Sequence, residues 1–230
     1  MERGYVLHHR PFQESKALVN LLVDGKGRVD AVARLGSGKR SIKSVLQPFQ
    51  PLIFTLSGRS ELKTLGQIEA AAPAVPLSGQ ALYSGMYLNE LTVRVLSIHH
   101  DATELFQIYH RTLLQMASEF CQSQLRLFEY HLLQELGAMP SLQFDENRDP
   151  FEEDIYYRFI SEQGFSPCLN TKIESSFSGQ SLIALRENNI QPAHFKELKF
   201  LMREMLKPLL GQKTLLSRQL FLTSRNKPAS

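Results

Sequence analysis

What most limits the folds open to this chain is a change of apolar period at Pro73 and Pro76. Ahead of them, apolar residues fall into five short runs: GYVLHHR at 4–10, ALVNLLVD at 17–24, GRVDAVARL at 27–35, PLIFTLSG at 51–58 and KTLGQIEAA at 63–71. Each is too short for a stable helix, is rich in Val, Leu and Ile, and is bounded by Pro-Phe, Gly-Lys-Gly, Pro48/Pro51 or Ser-Gly signals, so each reads as a strand. Asp24-Gly25-Lys26-Gly27 is a turn sequence that joins the second and third strands as a hairpin. Five such strands fit a small antiparallel β-barrel of the OB type, although another small barrel would show the same pattern.

The two prolines in AAAPAVPLSG end the last strand, and the period beyond them is helical. Leu82, Met86, Leu91, Val95 and Leu96 fall on one side of a helix ending near Ile98, and His99-His100-Asp101 breaks it. A second helix turns Leu105, Ile108, Tyr109, Leu113 and Met116 inward, and a third runs from about Ser123 to Leu136 with Gly137 as its cap. DIYYRFI is strand-like, GQSLIALRENN is a short helix, and HFKELKFLMREMLKPLL is amphipathic with Phe195, Leu198, Leu201, Met202, Met205 and Leu209 inward. The expected fold class is α+β: a barrel domain over 1–78 and a mainly helical domain over 79–230. The second domain carries an acidic insert at about 143–154 and a tail, about 224–230, expected to be disordered.

The net charge of +3 conceals an uneven distribution. Residues 1–80 hold 11 basic and 6 acidic side chains, 101–164 hold 4 and 12, and 165–230 hold 10 and 4, so two basic ends flank an acidic middle. The sharpest concentration is RLGSGKRSIK, where Arg34, Lys39, Arg40 and Lys43, with Arg28 upstream, accompany two glycines and no acid after Asp30. It lies between two strand runs, so it reads as a flexible cationic loop on a β scaffold, suited to a polyanion. Arg10, Arg59 and Lys63 join this nucleic-acid-binding set if the strands bring them to the same face. Phe12, Phe49 and Phe54 are set aside, because a strand phenylalanine is more often core than stacking surface.

Enzyme chemistry finds little support. GSGKRS ends like a phosphate-binding loop, yet Ala33 stands where that loop begins with glycine and Arg40 where Ser or Thr would hold magnesium. Asp145, Glu146, Asp149, Glu152, Glu153 and Asp154 form one contiguous run, whereas hydrolytic metal sites gather carboxylates from separate elements. His8-His9 and His99-His100 lack a paired nucleophile or ligand spacing. Cys121 and Cys168 are the only cysteines, too few for a four-cysteine zinc site. No catalytic residue, metal or cofactor is expected. Without an apolar N-terminal signal or a membrane-length run, the chain is expected to be soluble and to stay inside the cell, with no membrane partner.

RLGSGKRSIKSVLQPF at 34–49, LYSGMYLNEL at 82–91, LRLFEYHLLQELGAMPSL at 125–142 and MREMLKPLLGQKTLLSRQLF at 202–221 together resemble the RecO family of bacterial recombination mediators. The resemblance implies an N-terminal OB fold, a helical C-terminal domain, a bacterial cytoplasmic location at the nucleoid, binding of single- and double-stranded DNA, annealing, and partnership with RecR and the single-strand DNA-binding protein SSB. Many members carry a four-cysteine zinc module where this chain reads QFDENRDPFEEDIYYRF, so it looks like a zinc-free branch. The family's SSB partner presents an acidic tail ending in an apolar residue with a free carboxylate. Arg126 is carried over as its cation, with Leu125 and Leu133 as apolar lining and Arg203 and Lys207 as further cations; the alternative is that Arg126 forms a surface ion pair with Glu129 or with an acid of a neighbouring helix. The expected function is annealing of SSB-coated strands and, with RecR, recombinase loading, without ATP or metal. The alternatives are a metal-dependent nuclease using the 145–154 segment and a protein adaptor whose basic loop binds acidic partners.

Overall fold

A computed structural model describes residues 1–38, 41–98, 100–168 and 175–225. Two compact units emerge: Met1–Phe120 together with the segment from Gln212 onward, and Cys121–Gly211. In the first, strands β1 (Glu2–Pro11), β2 (Lys16–Val23), β3 (Gly27–Arg34), β4 (Leu52–Ser57) and β5 (Lys63–Ala70) close into a barrel in the order β1-β2-β3-β5-β4. This is an OB fold. Four seams are antiparallel, and the closing seam is parallel, with Ala31, Val32 and Ala33 opposite Lys63, Thr64 and Leu65.

Alternation along the strands decides what fills the barrel. Ala17, Val19, Leu21 and Val23 of β2 and Ala31 and Ala33 of β3 point inward, joined by Val6, Leu52, Phe54 and Leu65. Side chains two apart share a face of a strand, so the even-numbered residues of β2 and β3 face outward. A bulge between Val6 and His8 re-phases β1, placing His8 opposite Asn20 and Arg10 opposite Leu18. The β2–β3 hairpin turns at Gly25 and Gly27, both at positive φ (74° and 68°), with the Lys26 N–H donating to the Val23 carbonyl at 3.1 Å.

Helices α1 (Gly79–Val95) and α2 (Thr103–Ser118) belong to the same unit, which therefore extends well past residue 78. Arg28 grips Asp30 with two hydrogen bonds (3.1 and 2.9 Å) and donates to the carbonyls of Val93 and Leu96 (2.6 and 3.0 Å), capping the C-terminal end of α1. Met86, expected inward, is exposed. Leu91 is buried as expected, and the buried face of α1 further carries Ser84, Gly85, Leu88, Asn89 and Thr92. Small residues permit that approach: a Cβ added to Gly85 would lie 2.8 Å from the Phe49 ring. The Tyr109 hydroxyl donates to Asn89 at 2.5 Å, and the Tyr5 hydroxyl lies 2.5 Å from His110 Nδ1. Burial pushes the Tyr5 hydroxyl up to about 12 and Tyr109 well above its ordinary value, so both stay neutral.

The second unit contains α3 (Gln122–Glu135), a sheet in the order β7-β6-β8 built from β6 (Tyr156–Ile160), β7 (Gly164–Cys168) and β8 (Ser176–Ser178), α4 (Gly179–Arg186) and α5 (Phe195–Leu210). Phe151, Tyr157, Phe165 and Phe177 pack largely edge to face in its core. On α5, Leu198, Leu201, Met202, Met205 and Leu206 are buried. Leu209, expected inward, is exposed in the last turn, next to Pro208 and just short of Gly211 at φ 63°. The chain then returns to the first unit as α6 (Ser217–Arg225), whose start is held by Glu90 of α1. That carboxylate accepts from the backbone N–H groups of Leu216 and Ser217 (2.8 Å each) and from the Ser217 hydroxyl (2.6 Å). The tail expected to be disordered lies outside the described residues from position 226 onward, and the backbone of residues 224 and 225 belongs to α6.

A Cβ on Gly27 would lie 2.4 Å from the His100 carbonyl oxygen, while one on Gly25 meets open space. Gly27→Ala should therefore lower stability by about 2–4 kcal/mol, from strain plus a clash with backbone that cannot easily move. Gly25→Ala should cost only about 1 kcal/mol, the penalty for a left-handed residue. Equal shifts of the two variants in denaturant unfolding would contradict this packing.

Candidate nucleic-acid interface

The open end of the β1–β2–β3 surface carries a cross-strand row. Lys16 stands opposite Arg34 in the β2–β3 register. The β1–β2 hairpin continues one step past the Pro11–Ala17 pair, because the Phe12 N–H donates to the Lys16 carbonyl at 2.9 Å. Phe12, Lys16 and Arg34 thus form one row, and Arg10, Leu18 and Val32 form the next, on the same outer face. Phe12, Arg10 and Arg34 are exposed, and Lys16, which donates to Gln13 at 2.9 Å, is partly so. At the other end of the face Asn20 and Arg28 both donate to Asp30, so charge is matched there and cationic at the open end.

The cationic loop leaves directly from this row. The Leu35 N–H donates to the Ser15 carbonyl (2.9 Å) and the Ile42 N–H to the Leu35 carbonyl (3.0 Å), closing a neck between 35 and 42. Arg34 and Lys43, both exposed, flank it. Lys39 and Arg40 belong to this loop by sequence and lie outside the described residues. Arg59 is exposed in the β4–β5 turn, and the Lys63 ammonium donates to the Gly58 carbonyl at 3.2 Å. Lys63 stands opposite Ala31, an inward-facing position, so alternation does not carry it onto the row.

Of the sequence-derived set, then, Arg10, Arg34 and Lys43 are gathered around the row and the loop neck, whereas Arg59 and Lys63 sit at the β4–β5 turn. Lys16 was missed. Counting back along the hairpin from Val23 opposite Gly27 would have found it, since the turn fixes every later pair. Arg28, counted with the basic stretch, is held by Asp30 and α1. Phe49 and Phe54 are buried as expected, while Phe12, set aside with them, is 37% exposed.

In the second unit, the residues carried over for an SSB tail are divided by burial. Leu125, Arg126 and Leu133 are buried in α3, and Arg203 and Lys207 are exposed on α5. Arg126 does pair with Glu129, at 2.8 Å, but the pair is not on the surface: the two side chains are 8% and 1% exposed. Exposed residues Lys196, Phe200, Arg203 and Lys207 recur at the spacing of one helix face, giving α5 a basic stripe interrupted by an aromatic ring. Within the acidic run, Asp145 accepts from the backbone N–H groups of Asn147 and Asp149 (2.8 and 3.0 Å), and Glu146 accepts from the Ser166 hydroxyl at 2.5 Å. Among the described residues no three His, Cys, Asp or Glu side chains gather as a metal site would require, and no helix is long and apolar enough to cross a membrane.

A closed OB barrel with exposed cations at one end, in one chain with a helical region, defines a two-unit protein of the OB-fold class. Comparison with known proteins specifies the class. Residues 1–74 match the family description "Recombination protein O N terminal" and residues 76–219 match "Recombination protein O C terminal". The "DNA repair protein RecO" of Coxiella burnetii (strain RSA 493 / Nine Mile phase I) is 40% identical over 225 residues, covering 96% of each chain. The protein of that name from Stutzerimonas stutzeri (strain A1501) is 40% identical over 227 residues, 98% of this chain and 94% of its own. That from Actinobacillus succinogenes is 41% identical over 224 residues, 96% and 94%. The chain belongs to the RecO family of bacterial DNA repair and recombination proteins.

Burial sets what Arg126 does for the fold. Removing one partner of a buried ion pair leaves the other uncompensated, so Arg126→Ala should destabilise the protein by about 3–5 kcal/mol. Arg203→Ala, at an exposed position, should change stability by less than about 0.5 kcal/mol. Thermal or denaturant unfolding of both variants checks this, and a neutral Arg126→Ala would contradict the buried pair.

Proposed function

We propose that this protein anneals complementary DNA strands coated with SSB and, with RecR, promotes recombinase loading, acting as a binding protein and not as an enzyme. The observation that carries the reading is the grouping of Arg10, Lys16, Arg34 and Lys43 around the open end of an OB barrel in a RecO-family chain. Two strands repel through their phosphates, and cations that neutralise both release counterions and lower the barrier to pairing. Pairing is downhill once that repulsion is screened, so neither nucleotide hydrolysis nor a metal ion has a step to perform. Lys39 and Arg40, which belong to the loop by sequence, are counted with this cationic set, and Arg59 and Lys63 are outer contributors.

For the SSB tail, the support lies on α5. An acidic peptide ending in an apolar residue and a free carboxylate needs exposed cations beside an apolar surface. Arg203 and Lys207 next to Phe200, whose ring stacks on Phe177 at 5.9 Å, offer both. Arg126, paired with Glu129 inside the unit, does not offer an exposed cation to such a peptide.

The test is annealing of labelled complementary oligonucleotides precoated with cognate SSB, in chelator and without ATP. The protein should accelerate annealing, and replacing Arg34, Lys39 and Arg40 with alanine should slow it and flatten the salt dependence of DNA affinity by about one unit of slope per lost phosphate contact. The double variant Arg203→Ala, Lys207→Ala should lose SSB-tail peptide binding yet retain affinity for naked DNA. A strict need for divalent metal, accompanied by strand cleavage, would overturn the proposal in favour of phosphodiester chemistry.

A further inference from the structure

The row of Phe12, Lys16 and Arg34 carries more than electrostatic attraction. Phosphate neutralisation gives no preference for single strands, because both forms present phosphates and the duplex presents them at higher density. An aromatic ring does distinguish them: it can stack only on a base whose face is free. Among the described residues of the barrel's strands and hairpins, Phe12 is the only exposed phenylalanine, and it stands in register with two cations.

Its placement is fixed by the backbone. The Phe12 N–H closes on the Lys16 carbonyl, and Gln13 follows at positive φ (60°), tightening the hairpin so that position 12 stays at the end of the outer face. The Lys16 ammonium is steadied by the Gln13 side chain at 2.9 Å. A strand lying across the three β-strands would thus meet an aromatic platform on β1 and a cation on each of β2 and β3. Neighbouring Leu18 and Val32, each partly buried, keep the next row apolar between Arg10 and the loop.

We infer that Phe12 is the single-strand-selective contact of this protein: it stacks on an unpaired base while Lys16 and Arg34 take the adjoining phosphates. The inference rests on the proposed DNA role of the barrel face. It assigns to that face a preference the cations alone cannot supply.

The chain contains no tryptophan, so Phe12→Trp in the full-length protein creates a single indole reporter at this position. Indole emission should be quenched by oligo(dT) and unchanged by a blunt-ended linear duplex, which has no loop, at saturating occupancy, with occupancy read by the anisotropy of a labelled strand. Phe12→Ala should weaken oligo(dT) binding about tenfold and duplex binding by less than about twofold. Lys16→Ala should weaken both forms alike and reduce the salt slope by about one. Unquenched indole with oligo(dT) bound, or equal loss for both DNA forms in Phe12→Ala, would overturn the stacking role while leaving DNA binding in place. Absence of DNA binding by the unmodified protein would instead overturn the wider reading, and the inference with it. Because Phe12→Ala is judged by the difference between oligo(dT) and duplex binding, a loss of folded protein, which lowers both alike, cannot mimic the expected result.

Discussion

Eight residue pairs run from Val23 opposite Gly27 to Lys16 opposite Arg34, and the outer surface of the barrel depends on that register. The turn at Gly25 and Gly27 sets it, since both glycines hold positive φ and Gly27 sits too close to the His100 carbonyl to carry a side chain. A slip of one residue would send Lys16 and Arg34 into a barrel lined by Ala17, Val19, Ala31 and Ala33, and bring those small apolar residues out. The parallel β3–β5 seam then locks the same strand from its other side. Fold and cationic surface are consequences of one pairing.

The same residue type does opposite work at different places. Arg28 spends its donors on Asp30 and the end of α1, and Arg126 faces Glu129 inside the second unit, so both stabilise structure. Arg34, Lys43 and Arg10 are left exposed, and Arg203 and Lys207 likewise on α5. Exposure, more than charge count, separates the cations available to a phosphate or a carboxylate from those that hold helices together. Glu90 shows the acidic counterpart, holding the start of α6 and so returning the C-terminal helix to the unit that contains the barrel.

Much of this was legible beforehand. Short apolar runs with Gly and Pro punctuation gave all five barrel strands, because alternation and turn chemistry are local properties. The inward face of α1 was read less well: Met86 was expected inside, whereas Ser84, Gly85, Asn89 and Thr92 are buried there. Close helix packing selects small residues, and polarity patterns do not register size. Lys16 escaped because charge clustering was sought along the sequence, while its neighbour Arg34 lies across a strand pair. Phe12 escaped because residue type alone cannot tell a hairpin end from a strand interior. The burial of Arg126 depends on how α3 packs within its unit, which no local pattern encodes, although its pairing with Glu129 follows from helical spacing.

On the proposed reading, DNA lies across the open end of the β1–β2–β3 surface. Amide hydrogen exchange of the full-length protein, free and saturated with oligo(dT), tests it most directly. Added protection is predicted in peptides spanning 10–18 and 32–43, with little change along the Arg28–Asp30 end of the same strands. Protection confined to α5 or to the 145–154 segment, with the barrel unchanged, would contradict it.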